Sequence, residues 1–148
     1  MDQAVATETF RKILIADDGT PWGARATELG LGLAAKLEAS VVMLGIVEPP
    51  NIQAAGEGLP VEDPSNRRRR IEKRLYECIR SGGLLGLEMT TEMVEGWAEK
   101  QIRLRARENH VDLIVIGGPP RNWIQRWFTS SVAETLARRT GCSVLSAQ

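Results

Sequence analysis

The sequence is poor in the residues on which metal sites and disulfide frameworks depend. Its 148 residues include two cysteines and one histidine. Cys78 and Cys142 lie far apart in apolar surroundings, a pattern that predicts neither a disulfide framework nor a zinc site. We interpret both cysteines as buried thiols. His110 has no suitably spaced partner, so we interpret it as a surface turn residue rather than a base or a metal ligand.

Excess charge and long apolar runs are also missing. The 19 basic and 19 acidic side chains cancel, so no global field draws the chain to nucleic acid or to an anionic membrane. No apolar run reaches the ~20 residues of a membrane helix, and residues 1–12 lack the apolar core of a secretory signal. We therefore expect a cytoplasmic protein without nucleic-acid or membrane partners, and a single domain over residues 1–148.

What the sequence does contain is a regular alternation of strand and helix patterns. β-branched apolar runs without polar alternation are typical of strands covered on both faces. A further run alternates with polar residues, which predicts a strand near an edge of the sheet. The alternation predicts a three-layer α/β domain with a parallel sheet. The buried runs are residues 13–16, 41–47 and 111–116, the alternating run is 87–93, and residues 142–147 make a short fifth strand.

Four segments between these strands have the spacing and the end signals of helices. The first begins with an N-cap and proline pair, the second ends at two glycines, and the fourth begins with a capping box. The first helix starts at Thr20-Pro21, and its apolar face is Trp22, Ala26, Leu29, Leu33 and Leu37. The second has the face Ile71, Leu75, Cys78 and Ile79 and ends at Gly82-Gly83. The third has the face Ala98, Ile102 and Ala106 and ends near Asn109, and the fourth starts with the capping box of Ser131 and Glu134.

One connection, residues 48–66, is long and has no periodicity. Connections of this length are either mobile or functional, and because this one holds no catalytic constellation, we expect a mobile loop. Four consecutive cations follow at residues 67–70. Consecutive helical positions point nearly all round a helix, so we interpret them as a solvated first turn, offset by Glu62, Asp63 and Glu72, rather than as a nucleic-acid site.

Polar residues follow the first strand, at the sheet edge where doubly wound folds bind ligands. Asp18 stands just before the Thr20 cap, where its carboxylate could accept a hydrogen bond from an adenine amino group or a ribose hydroxyl. Alternatively, Asp17 or Asp18 only stabilises the helix N-terminus through the helix dipole. The residues alone favour neither interpretation.

Four segments together resemble the universal stress protein family. "KILIADDGT" is similar to its first strand and aspartate, "VVMLGIVEP" to its second strand, "VDLIVIGG" to its fourth, and "SSVAETLARRTGCSVLSA" to its final helix and strand. The resemblance spans nearly all of residues 11–147. It implies a five-stranded parallel sheet in the order 3-2-1-4-5, a homodimer joined through the last strand at residues 143–146 and, in one branch of the family, binding of ATP or AMP.

The resemblance also assigns site residues. Asp18 matches the aspartate that meets adenine and ribose, and Ile46 matches the second-strand residue whose backbone meets adenine. Gly117 matches the first glycine of the phosphate loop, and Ser131 matches the serine that caps the last helix and touches phosphate. Gly118 and Arg121 lie in the same loop, where a further backbone N–H and a cation could hold phosphate.

The phosphate loop departs from the family motif at two glycines. The second glycine position is Pro120 and the third is Ser130. Pro119 and Pro120 have no N–H to donate, and Ser130, although its hydroxyl could donate, disfavours a positive φ. Because each lost charge-assisted donor costs about 1.5–3 kcal/mol, we expect an ATP dissociation constant weaker than about 100 μM.

The tryptophans support no assignment. Trp123 and Trp127, four positions apart, either stack on a base or pack against their own domain or a partner subunit, and we expect packing. Trp97 stands at the start of the third helix, at a position usually small or proline in the family, and nothing in the sequence explains it.

The expected function is a cytoplasmic, dimeric and non-catalytic stress-response module with weak or absent ATP binding and an unidentified protein partner. Two alternatives remain open. The first is a regulatory domain that binds ATP or AMP at the ends of strands 1, 2 and 4. The second is an enzyme that hydrolyses ATP or transfers nucleotides, although the sequence has neither a G-x-x-x-x-G-K-[ST] motif nor a paired acid–base constellation.

Overall fold

A computed structural model of the chain describes residues 9–50, 56–58, 61–118 and 132–147. The described residues form a parallel sheet of five strands in the order β3-β2-β1-β4-β5 with helices around it. This confirms the predicted fold class and strand order. The elements are β1 (Lys12–Asp17), α1 (Pro21–Leu37), β2 (Ser40–Val47), α2 (Pro64–Leu84), β3 (Met89–Glu95), α3 (Ala98–Glu108), β4 (Leu113–Gly117), α4 (Val132–Thr140) and β5 (Ser143–Ala147).

Each face of the sheet has its own apolar core. Alternate residues of the central strand β1 enter opposite cores, because side chains in a strand point alternately to either face. Ile13 and Ile15 are fully buried in the core that includes residues of α1 and α2, whereas Leu14 lies in the core that includes residues of α3 and α4. The non-alternating pattern of the sequence is thus explained by a strand that is covered on both faces.

Helix α1 begins as the sequence predicts. The Thr20 hydroxyl accepts a hydrogen bond from the N–H of Gly23 at 3.2 Å, and Pro21 occupies the first turn. The predicted apolar face packs on the sheet: Ala26 is buried, and Leu29, Leu33 and Leu37 are half-buried against the same core. The buried positions also include Gly30 and Ala34, at which small residues let the helix approach the sheet.

Helix α2 departs from the prediction at both ends. It begins at Pro64, inside the predicted loop, after Asp63 caps it by accepting from the N–H of Ser65 at 2.9 Å. At its other end the helix runs through both glycines to Leu84, and Ile79, expected in the core, is 50% exposed. Residues 51–55 and 59–60 of the predicted mobile loop lie outside the described residues.

The cysteines and the histidine are largely where the sequence suggested. Cys78 is buried and free, and burial together with the nearby Asp17 carboxylate raises the pKa of its thiol to about 11. Cys142 is also free, but it is half-buried rather than buried, and its Sγ donates to the carbonyl of Val111 at 3.1 Å. His110 is an exposed turn residue with φ of 52° between α3 and β4, as predicted.

Across the described part of the chain, no helix is both long and apolar enough to cross a bilayer. Over the same residues, no group of histidine, cysteine and acidic side chains has the arrangement of a metal site.

Candidate functional site

The candidate site lies at the carboxyl edge of the sheet, between β1 and β4. The chain runs outward from β1 through β2 to β3, and then returns to build β4 and β5 on the other side. The direction in which the sheet is built therefore reverses between β1 and β4. This is the point at which doubly wound sheets bind their ligands.

Asp18 leaves the end of β1 in a tight polar turn. One carboxylate oxygen, Oδ1, accepts hydrogen bonds from the backbone N–H of Thr20 at 3.1 Å and from its hydroxyl at 2.5 Å. The same hydroxyl accepts from the N–H of Gly23. The carboxylate is therefore held in one orientation by the cap of α1, and no described residue donates to its other oxygen, Oδ2.

A second carboxylate, Glu48, faces the same space from the end of β2. Its Oε1 accepts from the N–H of Ala98 at 3.2 Å and so supplies the cap that Trp97, the residue at the N-cap position of α3, does not provide. Burial raises the pKa of the Glu48 carboxyl, the N–H of Ala98 opposes the rise, and the negative charge of Asp18 adds to it. The Trp97 side chain itself is 60% exposed.

These two carboxylates and several apolar side chains line a cavity of about 160 Å³, which we call the switch-point pocket. Its volume is below the 300–1,000 Å³ typical of pockets that enclose a whole small molecule. The pocket therefore has room for one ring system rather than for a complete nucleotide. Its lining consists of Ala16, Asp18, Ile46, Glu48, Ala98, Ile102, Ile116, Gly117 and Val132.

The backbone of Ile46 turns a polar group toward this pocket. In the parallel ladder the backbone of Val47 faces β3, since its carbonyl accepts from Gly96, and so the backbone of Ile46 faces β1. The N–H that would continue the ladder to the Ile46 carbonyl is that of Gly19, which donates instead to Asp17 Oδ1 at 2.8 Å. The Ile46 carbonyl thus lies beyond the paired end of β1, beside Asp18.

Gly117 is at the site, but its lack of a side chain serves packing. A Cβ at this position would overlap the backbone carbonyl of Trp22 in the first turn of α1. The glycine therefore lets β4 approach the start of α1 closely.

Gly118 corrects one expectation from the sequence. Its N–H, counted as a phosphate donor, donates to the carbonyl of Ala147 at 3.0 Å and continues the ladder between β4 and β5. This N–H is engaged within the sheet and is not directed at a phosphate. The remaining predicted phosphate contacts, Arg121, Ser130 and Ser131, lie outside the described residues, as do Trp123 and Trp127.

The sequence analysis missed a group of charged residues behind the site. Asp17 is fully buried, and its Oδ1 accepts from Arg74 of α2 at 2.8 Å as well as from Gly19. Arg74 also donates to the carbonyl of Thr20 at 2.8 Å, and Arg70 donates to that of Gly19 at 2.7 Å. Two arginines of α2 thus hold the β1–α1 turn from the face opposite the switch-point pocket.

The four consecutive cations are only partly a solvated turn. Arg70 and Arg67 both bind Glu62, and the hydrogen bonds from Arg70 are the main cause that lowers the pKa of Glu62 to about 2. Arg68 pairs with Glu95 of β3 at 2.6 Å, and Arg69 binds Asn66. The predicted offset by Glu62 is confirmed. The structural role of Arg70 at Gly19 was not predicted, because it joins residues far apart in the sequence.

The family model and the relative described here are both those of universal stress proteins. The model of the universal stress protein family matches residues 9–147. A universal stress protein of Methanocaldococcus jannaschii is 26% identical over 144 residues, which cover 92% of this chain and 81% of that protein.

Solved structures with the same fold include two whose descriptions name a bound adenine nucleotide. A universal stress protein in complex with cAMP has a TM-score of 0.69 at 19% identity, covering 95% of this chain and 98% of that chain. A universal stress protein family protein of Arabidopsis thaliana with AMP bound has a TM-score of 0.62 at 11% identity, covering 93% of this chain and 90% of that chain. At such identities the likeness concerns the fold.

Proposed function

Because this chain belongs to the universal stress protein family, we propose that it is a stress-response module that binds an adenine nucleotide weakly and without catalysis. The base and part of the ribose would occupy the switch-point pocket. The phosphates would contribute little to the affinity.

The observation that carries this proposal is the arrangement of acceptors around an apolar slot. The adenine amino group and the ribose hydroxyls are donors, and three acceptors lie at the pocket: Asp18, Glu48 and the Ile46 carbonyl. The walls, which include the buried side chains of Ile102 and Ile116, suit the faces of a ring. Relatives of the same fold that hold cAMP and AMP support the assignment to adenine nucleotides.

Weak phosphate affinity follows from the donors that the loop lacks. The Gly118 N–H is used by β5, and Pro119 and Pro120 have no N–H. A phosphate nest depends on successive backbone donors. Without them the energy of binding would come mainly from the nucleoside.

The proposal of a non-catalytic role rests on the roles of the two carboxylates in the switch-point pocket. Oδ1 of Asp18 accepts from Thr20, and Oε1 of Glu48 accepts from Ala98, so each carboxylate is oriented by a helix N-terminus. Their second oxygens would accept from the amino group and the hydroxyls of the nucleoside, whereas a general base for ATP hydrolysis must lie within hydrogen-bond reach of the water that attacks the phosphate. An ATP-hydrolysing enzyme would release ADP in a steady-state assay, and this result would contradict the proposed non-catalytic role.

A titration series separates nucleoside recognition from phosphate recognition. We expect adenosine, AMP and ATP to bind within about tenfold of one another, with ATP weaker than about 100 μM, because the shared nucleoside makes the main contacts. Asp18→Asn should weaken all three at least about tenfold, since it removes one charge-assisted acceptor. Isothermal titration calorimetry measures these constants.

The control is the melting temperature without ligand. The amide oxygen of Asp18→Asn can still accept from Thr20, so this temperature should change little. Purification of the protein with ATP already bound, or ATP affinity far above that of adenosine, would contradict the proposal.

We also propose that the module is a homodimer joined through β5. This strand lies at one end of the sheet order and pairs on one side with β4. The Ala147 carbonyl accepts from Gly118 of β4, and backbone groups alternate in direction along a strand. The N–H groups of Val144 and Ser146 therefore point away from β4, where a second copy could pair with them. Among the described residues no strand pairs with this outer edge, and an edge of this kind favours pairing.

Proline substitution tests this assembly. Val144→Pro removes an outward N–H without removing a donor to β4, so we expect a monomer by light scattering at tens of micromolar protein. Thr91→Pro is the matched control on the other edge strand, β3. The N–H of Gly96 donates inward to Val47 of β2, and because backbone groups alternate in direction along a strand, the N–H of Thr91 points outward. A monomeric parent protein, or a dimer unaffected by Val144→Pro, would refute the arrangement.

A further inference from the structure

A second cavity lies on the opposite face of the sheet, between α1 and α2. Its volume is about 460 Å³, within the range of small-molecule sites. It is separate from the switch-point pocket, because Asp17 and Asp18 are adjacent in the chain and border different cavities. We call it the α1–α2 cavity; its lining is Asp17, Ala24, Thr27, Glu28, Leu31, Gly32, Arg74, Glu77, Cys78, Ser81 and Leu85.

A buried acceptor at this cavity has no partner. The Asp17 side chain is 1% exposed, and while its Oδ1 binds Gly19 and Arg74, its Oδ2 makes no hydrogen bond to any described residue. A buried carboxylate oxygen without a donor is costly, so such groups are rare in folded proteins and point to a missing partner. A donor carried by a ligand in the α1–α2 cavity would satisfy this oxygen.

The charges of the lining indicate the kind of donor. Among the described lining residues are three carboxylates, Asp17 at the buried end and the exposed Glu28 and Glu77, and one cation, Arg74. Arg25 pairs with Glu28 at 3.5 Å, so the carboxylates still outnumber the cations by one. This excess of negative charge favours a cationic ligand over an anionic one. The apolar surface of Leu31 and Cys78 would contact an uncharged body.

We propose that the α1–α2 cavity binds a small organic amine, whose ammonium group donates to Asp17 Oδ2 and whose apolar body packs between α1 and α2. The carboxylate would then bridge two cations, the ligand ammonium and the Arg74 guanidinium. The two glutamates at the rim attract the amine and exclude carboxylates. The site is independent of the nucleotide proposed for the other face.

A series of three compounds of similar shape tests the proposal. 2-Phenylethylamine, 2-phenylethanol and 3-phenylpropionate are added to the isotopically labelled protein, and the backbone amide shifts are followed by NMR. We expect the amine to bind at least tenfold more tightly than the alcohol, the carboxylate to be weaker still, and the largest shifts to fall at Ala24, Leu31 and Cys78. Equal binding of amine and alcohol, or preference for the carboxylate, would overturn the proposal.

Two glycines provide a matched pair of variants that do not touch Asp17. A Cβ at Gly32, which borders the cavity, and at Gly83, which does not, meets no atom within 4 Å, so both helices should accept a side chain. Gly32→Leu should weaken binding of the amine at least fivefold, because the new side chain occupies the cavity. Gly83→Leu should leave the dissociation constant of the amine unchanged. Amine binding that survives Gly32→Leu would show that the amine binds elsewhere.

Saturation with AMP provides the last measurement. The dissociation constant of the amine should change less than twofold, because the two ligands occupy opposite faces of the sheet. Displacement of the amine by AMP would show a shared site and would overturn the proposal, even if AMP itself binds as proposed above.

Discussion

Asp17→Ala is expected to lower the free energy of unfolding by about 3 kcal/mol, the size of effect seen when one partner of a buried ion pair is removed. The substitution leaves the N–H of Gly19 and the Arg74 guanidinium without the carboxylate oxygen that both contact at 2.8 Å. Arg74 is 21% exposed, so water compensates part of the loss. Urea unfolding should show the change, with a fall in melting temperature of roughly 6–12 °C for a chain of this size.

Replacement of the neighbouring aspartate should have a smaller effect. Strand alternation places the two carboxylates on opposite sides of β1, and Asp17 is the buried one. Asp18→Ala, which removes the contacts to Thr20, should cost only about 1 kcal/mol, as for other cap residues.

A double-mutant cycle identifies the ion pair as the cause. In an Arg74→Met background, Asp17→Ala should cost less than in the parent protein, because no cation is left without a partner. Burial is the main cause that raises the pKa of Asp17, and the contacts with Gly19 and Arg74 oppose the rise. Equal losses in the free energy of unfolding for Asp17→Ala and Asp18→Ala would show that breaking the buried ion pair is not what destabilises the protein.

The fold was predictable because its signals are local. Strands covered on both faces need β-branched runs without alternation, and β1, β2 and β4 have them. The cap of α1 was visible as Thr20 followed by Pro21. The same signal, Asp63 followed by Pro64, marks the start of α2, but it was interpreted as part of a loop because three further prolines and two glycines precede it within residues 48–66.

At the candidate site, the resemblance pointed to single residues. Asp18 and Ile46, which it assigns to adenine contacts, both border the switch-point pocket. The contacts that define their surroundings join distant residues: Arg74 reaches Asp17 over 57 positions, and Glu48 caps α3 over 50 positions. No spacing rule connects such pairs, since their proximity exists only once the sheet has formed.

Gly117→Ala is expected to destabilise the protein by about 3 kcal/mol, near the upper end of the usual cost of overpacking. The added methyl group would overlap the backbone carbonyl of Trp22. This carbonyl belongs to the first turn of α1, so relief requires a shift of the helix or of β4. Because α1 carries the Thr20 cap that orients Asp18, we expect weaker adenosine binding as well. Chemical unfolding and calorimetry measure the two effects.

Gly118→Ala is the matched control, at the next position along the chain after β4 ends. Its Cβ would lie 2.8 Å from the hydroxyl oxygen of Ser146, a side-chain end that can rotate aside, and its N–H bond to Ala147 would remain. We expect a loss below about 1 kcal/mol and unchanged adenosine binding. If both glycines instead served a phosphate, the two variants would lose affinity for AMP and keep it for adenosine, with similar stability. That result would refute the packing role of Gly117 and restore the loop as a phosphate site.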